Sequence, residues 1–321
     1  MIIKIIKILI LILFFFIIII TPLTYLKKEN EYLFKIDNSF EEYKFMDNVK
    51  NFLSYKKKIP KNVKVWIYKL TALITSYQSH LTSVKVIHRK LKTEAIITTK
   101  KGEIFYFING KLLLSEDAAQ EGQYRSYFYN YPMGRVYQKE KKKDFPIPLN
   151  YAFLNSLYGT NPLERENNLE TFLLLGKKIR FHQKQQASFH LKNVFKEIQF
   201  VAKQDKDVKK WLGNIHVIST YINRSVENMN RQSLHSYGIA IDILPYDRSK
   251  FFYWQWVEKY MKDWWNAREE DKAKIPYQVI DIFEKNGFTW GGKWFYFDIM
   301  HFEYRPEVIK YAILLKEDPL N

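Results

Sequence analysis

The hydrophobic pattern begins with an unbroken apolar run, Ile8 to Ile20, which continues through Thr21-Pro22-Leu23-Thr24-Tyr25-Leu26 and is preceded by Lys4 and Lys7. A short positive stretch ahead of an apolar run is the layout of a secretory signal or a single membrane anchor. Ile8–Leu26 approaches the ~20 residues that a bilayer span requires. No small-x-small cleavage pattern follows it, which favours an uncleaved anchor. Residues 1–26 are therefore expected to be a signal peptide or membrane anchor. The lysines would stay inside and the rest of the chain would be exported, facing the periplasm or cell wall or secreted after cleavage.

After a polar stretch, Glu42–Tyr55 carries helical periodicity, and Val63–Tyr68 and Leu91–Leu114 are rich in strand formers. Within the latter, Thr93–Thr99 and Glu103–Ile108 flank a Lys-Lys-Gly turn, and Asn109-Gly110 is a hairpin signal ahead of Lys111–Leu114. Residues 116–144 are polar and aromatic, end in a lysine-rich stretch, and are followed by Pro146 and Pro148, the texture of a linker or loop.

From Tyr151 the texture changes. Tyr151–Tyr158 and Asn167–Leu175 predict short helices, Leu191–Ala202 an amphipathic helix, and Ile215–Thr220 and Ile239–Leu244 strands. Phe251–Trp265 repeats aromatic residues at helical spacing, which places them in a core rather than on a sugar-stacking surface. Pro276–Asn286 predicts a helix stopped at Gly287. Phe288–Trp290 and Met300–Tyr304 predict short strands, and Pro306 opens a last helix. This order predicts an α+β fold: a small antiparallel sheet flanked by helices over residues 149–321, preceded by a strand-containing region, residues 27–148, of unknown role.

Composition narrows the chemistry. The chain has 321 residues, 47% of them hydrophobic, enough for a sizeable core. It has no cysteine, so disulfides, thiol nucleophiles and thiolate metal ligands are excluded, and a bound metal must use His, Asp or Glu. The net charge of +17 draws the chain toward polyanions. The charge is spread out, however, and no zinc finger, RNP motif or basic heptad is present. With export expected as well, nucleic acid is not the anticipated partner.

The informative stretch is Ser233-Leu-His235-Ser-Tyr-Gly238-Ile-Ala240-Ile-Asp242, followed much later by Asp298-Ile-Met-His301-Phe-Glu303. A catalytic zinc site needs three protein ligands and one open position. On a strand over Ile239–Leu244, the isoleucines share one face and Ala240 and Asp242 the other. On Met300–Tyr304, His301 and Glu303 likewise share a face. His235, Asp242 and His301 then form a candidate zinc set, with Asp298 close enough to move a proton without being a ligand. Glu303 is expected to orient a ligand. Arg224, with Arg231 in reserve, is the candidate cation for a substrate carboxylate or oxyanion. Trp290 and Trp294 are placed at the cleft floor, Trp290 as a candidate substrate contact. His80, His88, His182, His190 and His216 read as packing or surface histidines.

These motifs resemble the zinc D-alanyl-D-alanine peptidase family, which includes the vancomycin-resistance D,D-peptidases and the L-alanyl-D-glutamate endopeptidases. Trp290-Gly-Gly-Lys-Trp294 is similar to the endopeptidase branch, and Phe153-Leu-Asn-Ser-Leu-Tyr-Gly159 to a bacterial branch. The likeness covers roughly residues 150–310. It implies a zinc metallopeptidase acting on peptidoglycan stem peptides, D-alanyl-D-alanine carboxypeptidase-like. It implies zinc ligation by His235, Asp242 and His301, acid/base work by Asp298, and substrate contact by Ser233. It also implies a substrate- or oxyanion-binding arginine at Arg224, although the interval from Arg224 to His235 is short for the family.

Overall fold

The computed structural model describes residues 30–54, 59–89, 92–108, 111–113, 128–134, 149–223 and 232–320. The apolar segment expected to be a signal or anchor lies outside the described residues, as does most of the expected linker. Among the described residues, no helix is long and apolar enough to cross a membrane.

The upstream region builds an antiparallel sheet of β1 (Asn30–Lys35), β2 (Leu81–Arg89), β3 (Lys92–Thr99), β4 (Ile104–Ile108) and β5 (Lys111–Leu113), in that spatial order. Between β1 and β2 run α1 (Glu42–Phe52) and α2 (Lys61–Tyr77). Val63–Tyr68, expected to be strand-rich, is instead the first half of α2. Its β-branched residues favour a strand locally, but Trp66, Ile67, Leu70, Leu73, Ile74 and Tyr77 recur at helical spacing and are all buried. That buried stripe decides the element.

Downstream come α3 (Tyr151–Tyr158), α4 (Pro162–Glu166), the hairpin β6 (Leu169–Leu174) and β7 (Lys177–His182), then α5 (Ala187–Val201) and α6 (Lys206–Gly213). Asn167–Leu175, expected to be a helix, supplies β6. Leu175 and Gly176, at φ 50° and 75°, form a two-residue turn that pairs Leu174 with Lys177. Next are β8 (Ile215–Ser219), β9 (Ala240–Pro245), α7 (Trp254–Glu258), α8 (Tyr277–Lys285), β10 (Phe288–Trp290), β11 (His301–Tyr304) and α9 (Pro306–Glu317). The strands form an antiparallel sheet in the order β10-β11-β9-β8.

The aromatic stretch Phe251–Trp265 is helical only over α7 and a single turn at Trp264–Asn266. Its beginning is extended, and Tyr253 forms an antiparallel bridge with Asp298. The ring of Trp264 packs on Trp254, Phe295 and Tyr296, so core packing does account for this part of the stretch.

One apolar core runs through both regions, from Val49 and Ile67 to Ile241 and Phe302. Helix α2 lies against α9. Tyr77 donates to Glu307 Oε2 at 2.6 Å, and Tyr68 donates to Asp318 Oδ1 at 2.7 Å. Behind the small sheet, Phe283 of α8 stacks on Phe302 of β11 with centroids 3.8 Å apart. That contact marks the core face of β11 and puts His301 and Glu303 on its other, also buried, face.

Candidate metal centre

The register of β9 and β11 sets Asp242 opposite His301 and Ala240 opposite Glu303. Ile241, Ile243 and Phe302 are buried in the core, so Asp242, His301 and Glu303 share the opposite face, as the period-two pattern predicts. Small Ala240 leaves room beside Glu303.

His235 arrives from a separate turn. Leu234–Tyr237 form a short 3-10 helix, and the Ser233 hydroxyl accepts the His235 backbone N–H at 3.3 Å. Gly238 ends the turn at φ +66°, a conformation that costs a glycine little. Its carbonyl accepts the His182 N–H at 2.8 Å, tying the turn to the end of β7. The carbonyl of Thr220, just past β8, takes the His235 Nδ1–H at 2.5 Å. The lone pair of His235 is therefore on Nε2.

Nε2 of His235 lies 3.2 Å from Asp242 Oδ2 and 3.3 Å from His301 Nδ1. His301 Nδ1 is 2.7 Å from Asp242 Oδ1, and its Nε2 is 3.1 Å from Glu303 Oε1. All three candidate ligands are buried, and their donor atoms lie within 4.8 Å of one another. Burial works to raise the Asp242 carboxyl, but the bonds from His235 and His301 outweigh it and hold the group well below the usual carboxylate range. Burial works to lower His301, and there the bonds to Asp242 and Glu303 prevail and lift it well above the usual imidazole value. Asp242 is thus held as a carboxylate between the two imidazoles.

The donor set fits zinc. Ligands at about 2.0–2.1 Å from a tetrahedral zinc are about 3.3 Å apart, close to the 3.2 and 3.3 Å separations around His235 Nε2; the 2.7 Å between His301 Nδ1 and Asp242 Oδ1 is a direct hydrogen bond that a shared metal would replace. Each imidazole also gives its second nitrogen to an oxygen, Thr220 O or Glu303 Oε1, the outer arrangement that orients histidine ligands on metals.

Asp298 is half-buried in the turn just ahead of β11, and its carbonyl accepts the His301 N–H at 3.3 Å. Its own N–H donates to Gly291 O at 3.0 Å, closing the loop Gly291–Asp298. A Cβ on Gly291 would meet Asp298 O at 2.5 Å, so this approach requires glycine. The Trp294 ring lies 5.5 Å from the His301 ring and forms a wall of the centre.

Other expected residues fall differently. Ser233, 8% exposed, caps the His235 turn. Trp290 is 2% exposed, and its indole N–H donates to Ile299 O at 2.8 Å, so the substrate contact expected of it finds no exposed surface here. Arg224 and Arg231 lie outside the described residues. Sequence reasoning missed Thr220, which acts through its backbone carbonyl and leaves no side-chain signal. It also missed the buried ion pair of Lys293 and Glu284, although the charged Lys293 inside Trp290-Gly-Gly-Lys-Trp294 was a visible clue.

Two strands and the separate turn of His235 thus bring together a buried His-Asp-His donor set that could hold a metal ion, with Asp298 in the turn just ahead of His301. Residues 227–304 match the family described as D-alanyl-D-alanine carboxypeptidase, which supports the zinc D-alanyl-D-alanine peptidase likeness over a segment holding all three candidate ligands, Asp298 and Glu303. No curated protein and no solved structure matches the chain.

Proposed function

We propose that this protein is an exported zinc peptidase that trims peptidoglycan stem peptides, with D-alanyl-D-alanine carboxypeptidase activity. The observation that carries the reading is the convergence of His235 Nε2, Asp242 and His301 Nδ1 within one metal-sized space, with Asp298 in the turn that leads into His301. Zinc held there supplies a Lewis acid for the scissile carbonyl and lowers the pKa of water. His235, Asp242 and His301 hold it. Asp298 takes the proton from the attacking water and passes it to the departing amine. Trp294 shields the centre on one side. Arg224 is assigned to the substrate's terminal carboxylate or the developing oxyanion. The segment at residues 1–26 holds the enzyme at the membrane or directs its secretion, where its substrate lies.

A second reading, cleavage of the L-alanyl-D-glutamate bond, is favoured by the Trp290-Gly-Gly-Lys-Trp294 sequence. Digestion of muropeptides separates the two, since the first reading releases free D-alanine and the second splits the stem. A third, non-catalytic wall binding, predicts no product at all. Asp298→Ala is expected to keep stoichiometric zinc and lose hydrolysis. Normal hydrolysis by that variant would overturn the assignment of Asp298.

A further inference from the structure

Residues 27–148 carry no chemistry in the proposed mechanism, yet one piece of them, Phe128–Gly134, lies against the back of the metal centre. Tyr129 is buried beside Glu303, Arg305, Thr289 and Trp294. Tyr131, 4% exposed, donates its hydroxyl proton to Glu284 Oε1 at 2.6 Å and accepts the backbone N–H of Trp290 at 3.0 Å. The next carbonyl, Pro132 O, accepts from Lys293 Nζ at 2.9 Å. The Lys293 ammonium also pairs with Glu284 and lies 4.9 Å from the centroid of the Tyr131 ring.

The position of these contacts gives them their consequence. Strand β10 is an edge strand, and Trp290 is where the chain leaves the sheet for the loop that carries Asp298. A buried N–H on that edge requires a partner, and the Tyr131 hydroxyl provides it. Beyond Trp290 the loop is bonded to itself, with Gly291 O accepting from both Trp294 N–H at 3.1 Å and Asp298 N–H at 3.0 Å. The loop is held at two points: its far end by the Phe252–Trp254 segment, where Trp254 N–H donates to Phe297 O at 3.0 Å and Ile299 N–H to Phe252 O at 2.7 Å, and its base, Trp290 and Lys293, by Tyr131 and Pro132.

We propose that Tyr131 is a positioning residue for Asp298, so that the upstream region forms part of the peptidase site. This rests on the proposed role of Asp298. A carboxylate that must meet both the attacking water and the leaving amine is sensitive to displacements near 1 Å, which can cost on the order of a hundredfold in rate.

The test uses the full chain carrying Tyr131→Phe, with Tyr77→Phe as comparator. Tyr77 also comes from the upstream region and also loses a buried bond to a glutamate, Glu307, which lies on α9 and not on the loop. Tyr131→Phe is expected to bind zinc normally, to lose about tenfold in kcat on stem peptide with KM within about twofold, and to exchange the Trp294 and Asp298 amides about tenfold faster. Tyr77→Phe is expected to lose stability while keeping kcat and those exchange rates. The proposal is overturned if Tyr131→Phe keeps wild-type kcat, or if both variants lose kcat equally. If the wild type hydrolyses no stem peptide, the functional reading fails instead. The exchange rates then decide, and unchanged protection at Trp294 and Asp298 overturns the clamp.

Discussion

His301 Nδ1 lies 2.7 Å from Asp242 Oδ1, across a strand pair whose register sets the two residues directly opposite. The same imidazole is bonded at its other nitrogen to Glu303 Oε1 at 3.1 Å. The ring is thus fixed from both sides, with Nδ1 turned to the centre. Outer partners of this kind typically account for 10–100-fold in metal affinity. Glu303→Ala is expected to weaken zinc binding by about that factor. Glu303→Gln, which keeps an acceptor oxygen, should recover most of the loss. Competition with a chromogenic chelator measures both, and an unchanged affinity in the alanine variant would refute the orienting role.

The metal itself should stabilise the fold, because the three ligands come from two strands and a separate turn. A ligand present at about a thousand times its Kd adds about 4 kcal/mol. Dialysis against a chelator is expected to lower the thermal midpoint, and zinc to restore it. Magnesium should not restore it, because it favours a shell of oxygens over imidazole nitrogen. Equal midpoints with and without chelator would argue that no metal binds there.

Gly238 offers a test of the turn that presents His235. It sits at φ +66°, and a Cβ there would approach Leu169 Cδ2 to 2.5 Å and the backbone nitrogen of His182 to 3.4 Å. The leucine can move, whereas the backbone conformation cannot be relieved without reshaping the turn. Gly238→Ala is expected to cost about 1–2 kcal/mol for the left-handed conformation and to weaken zinc binding by shifting His235 Nε2. Urea unfolding and metal titration report the two effects separately.

The convergence of His235, Asp242 and His301 was legible in the sequence because its geometry depends on short-range rules. Period-two alternation sorts Asp242 from Ile241 and His301 from Phe302, and a glycine three residues after His235 marks a tight turn. What the sequence hid depends on distant partners. Val63–Tyr68 is helical because α2 buries a long stripe that extends well beyond that window. Asn167–Leu175 is a strand because of its pairing with Lys177–His182. Trp290 is buried for a similar reason: its indole is fixed by Ile299 O, an acceptor no local pattern announces. Likewise, no spacing links Tyr131 to Trp290 across 159 positions.

His182 supports the same turn through its backbone and gives the fold a predictable response to acid. Its side chain is fully buried, with Nε2–H donating to Tyr158 O at 2.9 Å and Nδ1 accepting the Lys184 N–H at 3.1 Å. Both nitrogens are satisfied only in the neutral ring. Burial is the main reason its pKa falls from 6.5 to about 4. The unfolded chain takes up a proton near pH 6.5, while the folded chain resists until about pH 4. The neutral histidine's contribution is therefore complete above about pH 6.5 and is lost as the pH falls toward about 4, an effect of roughly 2–3 kcal/mol. His182→Gln, which can donate and accept at the same positions without titrating, should flatten the dependence of unfolding free energy on pH across this window. Urea unfolding of both proteins at pH 7 and pH 4.5 makes the comparison, because the carboxylates common to the two cancel. Parallel pH profiles for variant and wild type would mean that His182 does not carry this acid sensitivity.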